Sequence, residues 1–213
     1  MAEGVVARSV VRSVVRSVAN YEQFFRWLMT LNGVSQYVQL DPVTLAGDFE
    51  ISMMINPVSP SANDALLADD HGSTYYFRLN DANSIRVFSN GVGFTFNGAE
   101  NLPTGEFQVS FVLSGTSMKC FVDGVQFGTD ITITPYTGVN NFLIGSANSA
   151  SKFFNGSLRD LKIWSGGDRT TGELIVDMPL DDGYANNPTA RNTVGADGAF
   201  VNMTEASWSE VFE

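Results

Sequence analysis

From Leu31 to Thr204 the chain is written almost entirely in short apolar–polar alternations, each closed by turn residues. A period of two suits a strand with one buried face, because successive side chains point to opposite sides. In "GDFEISMMINP", Phe49, Ile51, Met53 and Ile55 fall on one face and Glu50, Ser52 and Asn56 on the other, between Gly47 and Pro57. "EFQVSFVLSG" sets Phe107, Val109, Phe111 and Leu113 against Gln108, Ser110 and Ser114 in the same way. "STYYFRLN" and "NSIRVFSNG" read as a further strand pair. Asn90-Gly91 and Asp123-Gly124 are two-residue hairpin signals, since such turns need positive φ at both central positions. "NNFLIGS", "GSLRDLKIWSG", "ELIVDMPL" and "GAFVNMT" add more strands. Short strands at regular spacing, with no helical pattern between them, restrict this region to an antiparallel sandwich or barrel. No Pro- or Ser-rich linker interrupts it, so residues 30–213 are expected to form one all-β domain.

Such a domain can hold itself together without cross-links. Hydrophobic residues make up 44% of the 213-residue chain, enough for a sizeable core. The single cysteine, Cys120, alternates with Met118 and Val122 and is expected to be a buried, inert thiol. The net charge is −11, and Arg8, Arg12, Arg16 and Arg26 concentrate basic charge near the start. The acidic remainder gives no footprint for nucleic acid. No apolar run reaches the roughly 18 residues of a membrane span, and arginines interrupt any secretory signal, so no membrane insertion is expected. An Arg- and Ser-rich start also fits a transit peptide, the less favoured reading.

Residues 1–29 have a different texture. "VVARSVVRSVVRSVAN" repeats a four-residue unit. Wound as a helix, Val10, Val11, Val14, Val15 and Val18 share an arc of about 140°, with Arg12, Arg16, Ser13 and Ser17 opposite. The periodicity predicts an amphipathic helix over about 2–19, continuing as far as Leu28 through "YEQFFRWLM". Valine is a weak helix former, and a lone helix of this length is marginal in water. The valine stripe therefore calls for a partner, and the segment reads as an attachment or oligomerisation arm built on those valines with Arg8, Arg12 and Arg16. At the other end, "TEASWSEVFE" is expected to make one helical turn capped by Thr204, with Trp208, Val211 and Phe212 packing inward.

"LNGVSQYVQLDPVTLAGDFEISMMINP", "FVDGVQFG" and "NNFLIGS" followed by "FFNGSLRDLKIWSG" together resemble the laminin-G-like domains of the concanavalin A-like lectin/glucanase superfamily, over about residues 30–165. The resemblance implies a two-sheet antiparallel jelly-roll sandwich. "MPLDDGYANNPTARNTVGADGAFVN" is similar to the segment that usually opens such domains, yet here it stands near the end, as a closing strand pair. Arg/Val-rich arms on laminin-G-like domains are also similar to those of bacteriophage virion proteins, such as tail or head fibres and capsid decoration subunits. That likeness implies a non-enzymatic protein located in the virion. Its partners would be other virion proteins and its own copies, joined as a homotrimer by analogy with fibres, and its knob would face a cell-surface glycan. The alternatives are a free bacterial, extracellular carbohydrate-binding lectin module and a glycoside hydrolase.

The residues bear unequally on these readings. Glycoside hydrolysis needs paired carboxylates, which on a strand recur as E-x-D-x-x-E. No such segment occurs: Glu50 lies between Phe49 and Ile51, and "RDLKIW" carries only Asp160. No catalytic residue is therefore assigned. Ca²⁺ is the one cofactor the oxygen-rich loops suggest, with Asp69 and Asp70 of "ADDHG" and Asp181 and Asp182 of "LDDGYANN" as candidate ligands. An ordinary solvated turn is the favoured reading of both. Tyr75, Tyr76, Phe94 and Phe96 would suit sugar stacking if exposed, with core packing the default for at least half of them.

Overall fold

The structure is a computed structural model, and it describes residues 25–61, 64–69, 74–148, 151–180, 189–190, 193–195, 197–203 and 207–212. The chain runs β1 (Phe25–Asn32), β2 (Tyr37–Leu40), β3 (Val43–Thr44), β4 (Phe49–Pro57), β5 (Ala65–Asp69) and β6 (Tyr75–Asp81). There follow β7 (Ser84–Ser89), β8 (Val92–Asn97), β9 (Phe107–Ser114), β10 (Ser117–Val122), β11 (Val125–Gln126) and β12 (Ile131–Thr132). The remainder comprises β13 (Val139–Asn140), β14 (Phe142–Ile144), β15 (Asn155–Ser165), β16 (Glu173–Met178), β17 (Thr189–Ala190), β18 (Gly198–Val201) and β19 (Trp208–Phe212).

These strands build an antiparallel sandwich, the all-β class the alternation predicts. A nine-stranded sheet runs β11-β10-β9-β4-β15-β1-β19, with β12 on β10 and β16 on β15. An eight-stranded sheet runs β17-β18-β2-β14-β5-β6-β7-β8, and β3 and β13 form a small ribbon. The expected alternations hold on the core side. Phe49, Ile51, Met53 and Ile55 of β4 and Phe107, Val109, Phe111 and Leu113 of β9 are all buried. They pack with Tyr75, Phe77, Leu79, Ile85 and Val87 of β6 and β7 in one core cluster. Phe77 meets Phe111 with ring centroids 4.6 Å apart, and Phe49 meets Tyr75 edge-on at 5.1 Å. Each such ring contributes roughly 1.5–3 kcal/mol by leaving water. Cys120 is fully buried between Met118 and Val122, as expected.

Turn chemistry sets the registers. Asn90 and Gly91 have φ of 50° and 77°, and Ser89 pairs with Val92 around them. Asp123 and Gly124 have φ of 48° and 76°, and Val122 pairs with Val125. Gly156 is fixed by crowding: at φ 150° a Cβ would lie 2.3 Å from the Asn56 carbonyl oxygen. Side-chain-free backbone lets β15 approach β4 at that point.

Both ends differ from expectation. Phe25–Leu28, where the helical pattern was expected to continue, opens strand β1. Trp208, Val211 and Phe212 lie in strand β19 rather than in a helical turn. Each segment explains the other, because Phe25 pairs with Phe212 and Met29 with Trp208 across one ladder. A local helical preference gives way when a long-range partner satisfies a whole row of backbone groups. Trp208 still packs inward as expected, edge-on to Phe200 at 5.1 Å. The late segment does deliver a closing pair, since β18 joins β2 and β17. The predicted helix over 2–19 lies outside the described residues.

Candidate functional site

With the core accounted for, chemistry is left to the two outer faces. On the nine-stranded sheet, Glu50 and Ser52 point away from the core yet are only 2% and 3% exposed. The segment Gly166–Gly172, between β15 and β16, covers them. Its Arg169 donates to Glu50 from Nε at 2.8 Å and from the backbone amide at 2.8 Å, and its Nη2 reaches both Glu50 and Ser110. The guanidinium also lies over the Trp164 ring, 5.8 Å from its centroid. Asp168 holds the strap's own turn together. Hydrogen bonds from the Thr170 hydroxyl and amide and from Thr171 lower its carboxyl to about 2. A cleft of about 660 Å³ opens beside the strap, lined by Glu50, Val112, Lys119, Phe121, Asp130 and Arg169. Two ion pairs lie in its lining, Glu50 with Arg169 and Lys119 with Asp130 at 3.9 Å, beside the Asp168 carboxylate. Both Glu50 oxygens accept hydrogen bonds from Arg169, which fixes the carboxylate under the strap.

The outer face of the eight-stranded sheet is built differently. Tyr76 and Phe88, paired across β6 and β7, stack with centroids 5.2 Å apart and planes 14° from parallel. Beside them Arg78 pairs directly with Arg86, placing two cations opposite each other on one face. Arg86 lies over Phe88 at 4.6 Å, and Arg78 over Phe88 at 5.5 Å and over Tyr76 at 5.8 Å. Lys152, from the loop between β14 and β15, adds a third cation 5.7 Å from the Tyr76 centroid. Its backbone holds φ at 57°, an uncommon conformation for a side-chain-bearing residue. Burial, and then the charges of Arg78 and Arg86, lower the Lys152 ammonium below its ordinary value.

The bed of this cluster is apolar: Ala65, Ala68 and Ala147 pack beneath Tyr76 and Phe88. Gly93 of β8 makes the space above, since a Cβ there would come within 2.6 Å of Arg86 Nη2 and 2.9 Å of Phe88. The Tyr76 hydroxyl is buried with Arg78 as its polar neighbour, and Arg86 Nε is buried with no hydrogen-bond partner among the described residues. Burial raises the Tyr76 hydroxyl above its usual value, and Arg78 opposes that shift. Asp64, nearby, is occupied: it accepts from the Ser61 amide at 2.6 Å and the Asn155 amide at 3.4 Å, and burial raises its carboxyl.

The residues singled out from sequence distribute as follows. Of the four aromatics, Tyr75 and Phe96 belong to the core, Phe94 packs partly against it, and Tyr76, on the opposite face of its sheet, is itself buried at 5% exposed in a second cluster. Asp69 ends strand β5, paired with Phe142 and 7% exposed, so it is a strand residue and not part of an open loop. Asp70, Asp181 and Asp182 lie outside the described residues, as do Arg8, Val10, Val11, Arg12, Val14, Val15, Arg16 and Val18. Among the described residues no group of three His, Cys, Asp or Glu side chains is placed to hold a metal ion. Phe88, Arg78, Arg86 and Lys152 were not singled out. Their signal was present: the off-core positions of "YYFRLN" and "SIRVFS" alternate aromatic and basic residues.

A family model described as the concanavalin A-like lectin/glucanases superfamily matches residues 32–171. Comparison with curated proteins returns no match. Among solved structures, a protein of Bacteroides ovatus named for carbohydrate binding superposes with a TM-score of 0.67 at 14% identity, over 89% of this chain and 60% of its own. Domain 4 of AbnA, a GH43 extracellular arabinanase from Geobacillus stearothermophilus solved with arabinotriose, gives 0.55 at 19% identity, over 66% of this chain and 71% of its own. Domains LG4-5 of the mouse laminin alpha1 chain give 0.51 at 17% identity, over 71% of this chain and 42% of theirs. The matched region runs from the end of β1 through the strap over Glu50, and with it the chain belongs to the concanavalin A-like lectin/glucanases superfamily.

Proposed function

We propose that the chain is a non-enzymatic carbohydrate-binding module that engages its ligand on the outer face of the eight-stranded sheet. The observation that carries this reading is the Tyr76–Phe88 stack, with Phe88 partly exposed and Arg86 and Lys152 lying on the rings, set on a lectin-type sandwich. A sugar site combines apolar rings with a few directed polar groups, and this cluster supplies both. The opposite face supports the non-enzymatic part, because Glu50 is clamped by Arg169. Of the readings the sequence opened, the lectin module fits the family and its arabinotriose-bound structural relative better than the virion fibre does. Family membership alone assigns no ligand.

The test is a glycan array probed with the full chain, with and without Ca²⁺. Specific binding that weakens in Tyr76→Ala and is unchanged in Lys119→Ala supports the reading. Absence of binding to every saccharide overturns it. Loss of binding on chelation would show that Ca²⁺ takes part in binding.

A further inference from the structure

The eight-stranded face gathers cations, and at Arg86 and Lys152 the described residues set no acid against them. The chain carries a net charge of −11, and several of its cations hold acids. Arg159 forms a two-pronged pair with Glu106 at 2.8 and 2.7 Å. Lys162 holds Asp177 at 3.3 Å, Lys119 holds Asp130, and Arg169 holds Glu50. Arg86 and Lys152 break this pattern: among the described residues no carboxylate lies within ion-pair reach of either. Like charges placed opposite each other across a ladder repel, and gathering a third cation beside Arg78 and Arg86 compounds the cost.

We propose that this cluster is a receptor for the acid group of an anionic saccharide, a sugar bearing a carboxylate or a sulfate, held by Arg86 and Lys152 with the Tyr76 hydroxyl as a further donor. The proposal rests on the carbohydrate-binding reading and names its ligand class. Three features of the geometry support it. Stacking on Phe88 holds the Arg86 guanidinium by its face, which leaves the N–H edge for a planar or tetrahedral acid. The missing Cβ at Gly93 keeps room for that guanidinium. Among the described residues, Asp64, whose charge acts on Tyr76, is committed to backbone amides of Ser61 and Asn155. Arg86, Phe88 and Lys152 are themselves partly exposed, so an incoming group can reach them.

The experiment is calorimetric titration of the full chain with three oligosaccharides of matched length: a uronic acid oligomer, a sulfated one and a neutral one. Preference for an acidic oligomer, weakening with added salt and falling about tenfold or more in each of Arg86→Gln and Lys152→Gln, is the expected result. Which acidic oligomer binds tells carboxylate from sulfate recognition. Gly93→Ala, which would push Arg86 aside, lowers affinity in the same direction. Lys152→Gln, on a loop, decides the matter if Arg86→Gln unfolds the sheet. Equal binding of neutral and acidic oligomers, or acidic binding unchanged by Lys152→Gln, overturns the acid-group assignment and leaves the carbohydrate-binding reading standing. Failure of all three oligomers and of the glycan array overturns both.

Discussion

Replacing Arg169 by alanine tests the strap over the nine-stranded sheet. The Glu50 side chain is 2% exposed, and that of Arg169 is 47% exposed. Arg169→Ala leaves a buried carboxylate with one backbone amide donor at 2.8 Å. Stripping one partner from a buried ion pair costs about 3–5 kcal/mol. The departing side chain was half in water, so solvent enters the vacated space and the expected loss is about 2–3 kcal/mol. Glu50→Gln is the milder change. The amide oxygen still accepts, and the released guanidinium is re-solvated, for a loss of about 1 kcal/mol. In the double variant no buried charge remains, so it is expected to be more stable than Arg169→Ala alone. Urea unfolding followed by tryptophan fluorescence measures all three, with Trp164 lying under the strap as a local reporter. If Arg169→Ala costs no more than Glu50→Gln, or if the two losses simply add, Glu50 is not a desolvated charge held by Arg169.

Four further outcomes are expected. Gly156→Ala forces a Cβ to within 2.3 Å of the Asn56 carbonyl oxygen and is expected to cost about 2 kcal/mol or more, read as a fall in melting temperature. Cys120 is fully buried and burial pushes its thiol well up, so a thiol reagent is expected to modify it only upon unfolding; fast labelling of the native chain would contradict this placement. Asp168 is lowered to about 2, so whatever it contributes is present above pH about 4 and is lost as pH falls toward 2, visible as a carbon-detected NMR titration of its carboxyl. Deleting residues 1–20 tests the proposal that the valine stripe joins copies of the chain: light scattering is expected to show a smaller particle, and an unchanged mass would remove that role.

The sandwich was legible because its signals are local. Alternation in β4 and β9 and the Asn90-Gly91 and Asp123-Gly124 turns depend only on near neighbours in sequence, and each appears where expected. Residues 25–28 and 208–212 were misread because each segment is a strand only by virtue of the other. Glu50 shows the same limit on the site side. Its alternation marked it correctly as off-core, but its burial depends on Arg169, far along the chain. Tyr76 lay among the aromatics noted, whereas Phe88 and Lys152 join it only through sheet register and a crossing loop. Periodicity states which face a residue occupies. It does not state which neighbouring strand brings the second half of a cluster.

The pairing of β1 with β15 and β19 also has a meaning in time. Antiparallel strands far apart in sequence must wait for each other, and β1 waits for residues beginning at Asn155 and at Trp208. At about 5–20 residues per second, synthesis would leave Phe25–Asn32 without its outer partner for on the order of ten to forty seconds. Within the eight-stranded sheet, strands β5 to β8, which carry Tyr76, Arg78, Arg86 and Phe88, come from one contiguous stretch and can pair as they emerge. On the ribosome, then, most of the cationic cluster is laid down early, while the edge of the other sheet is sealed last.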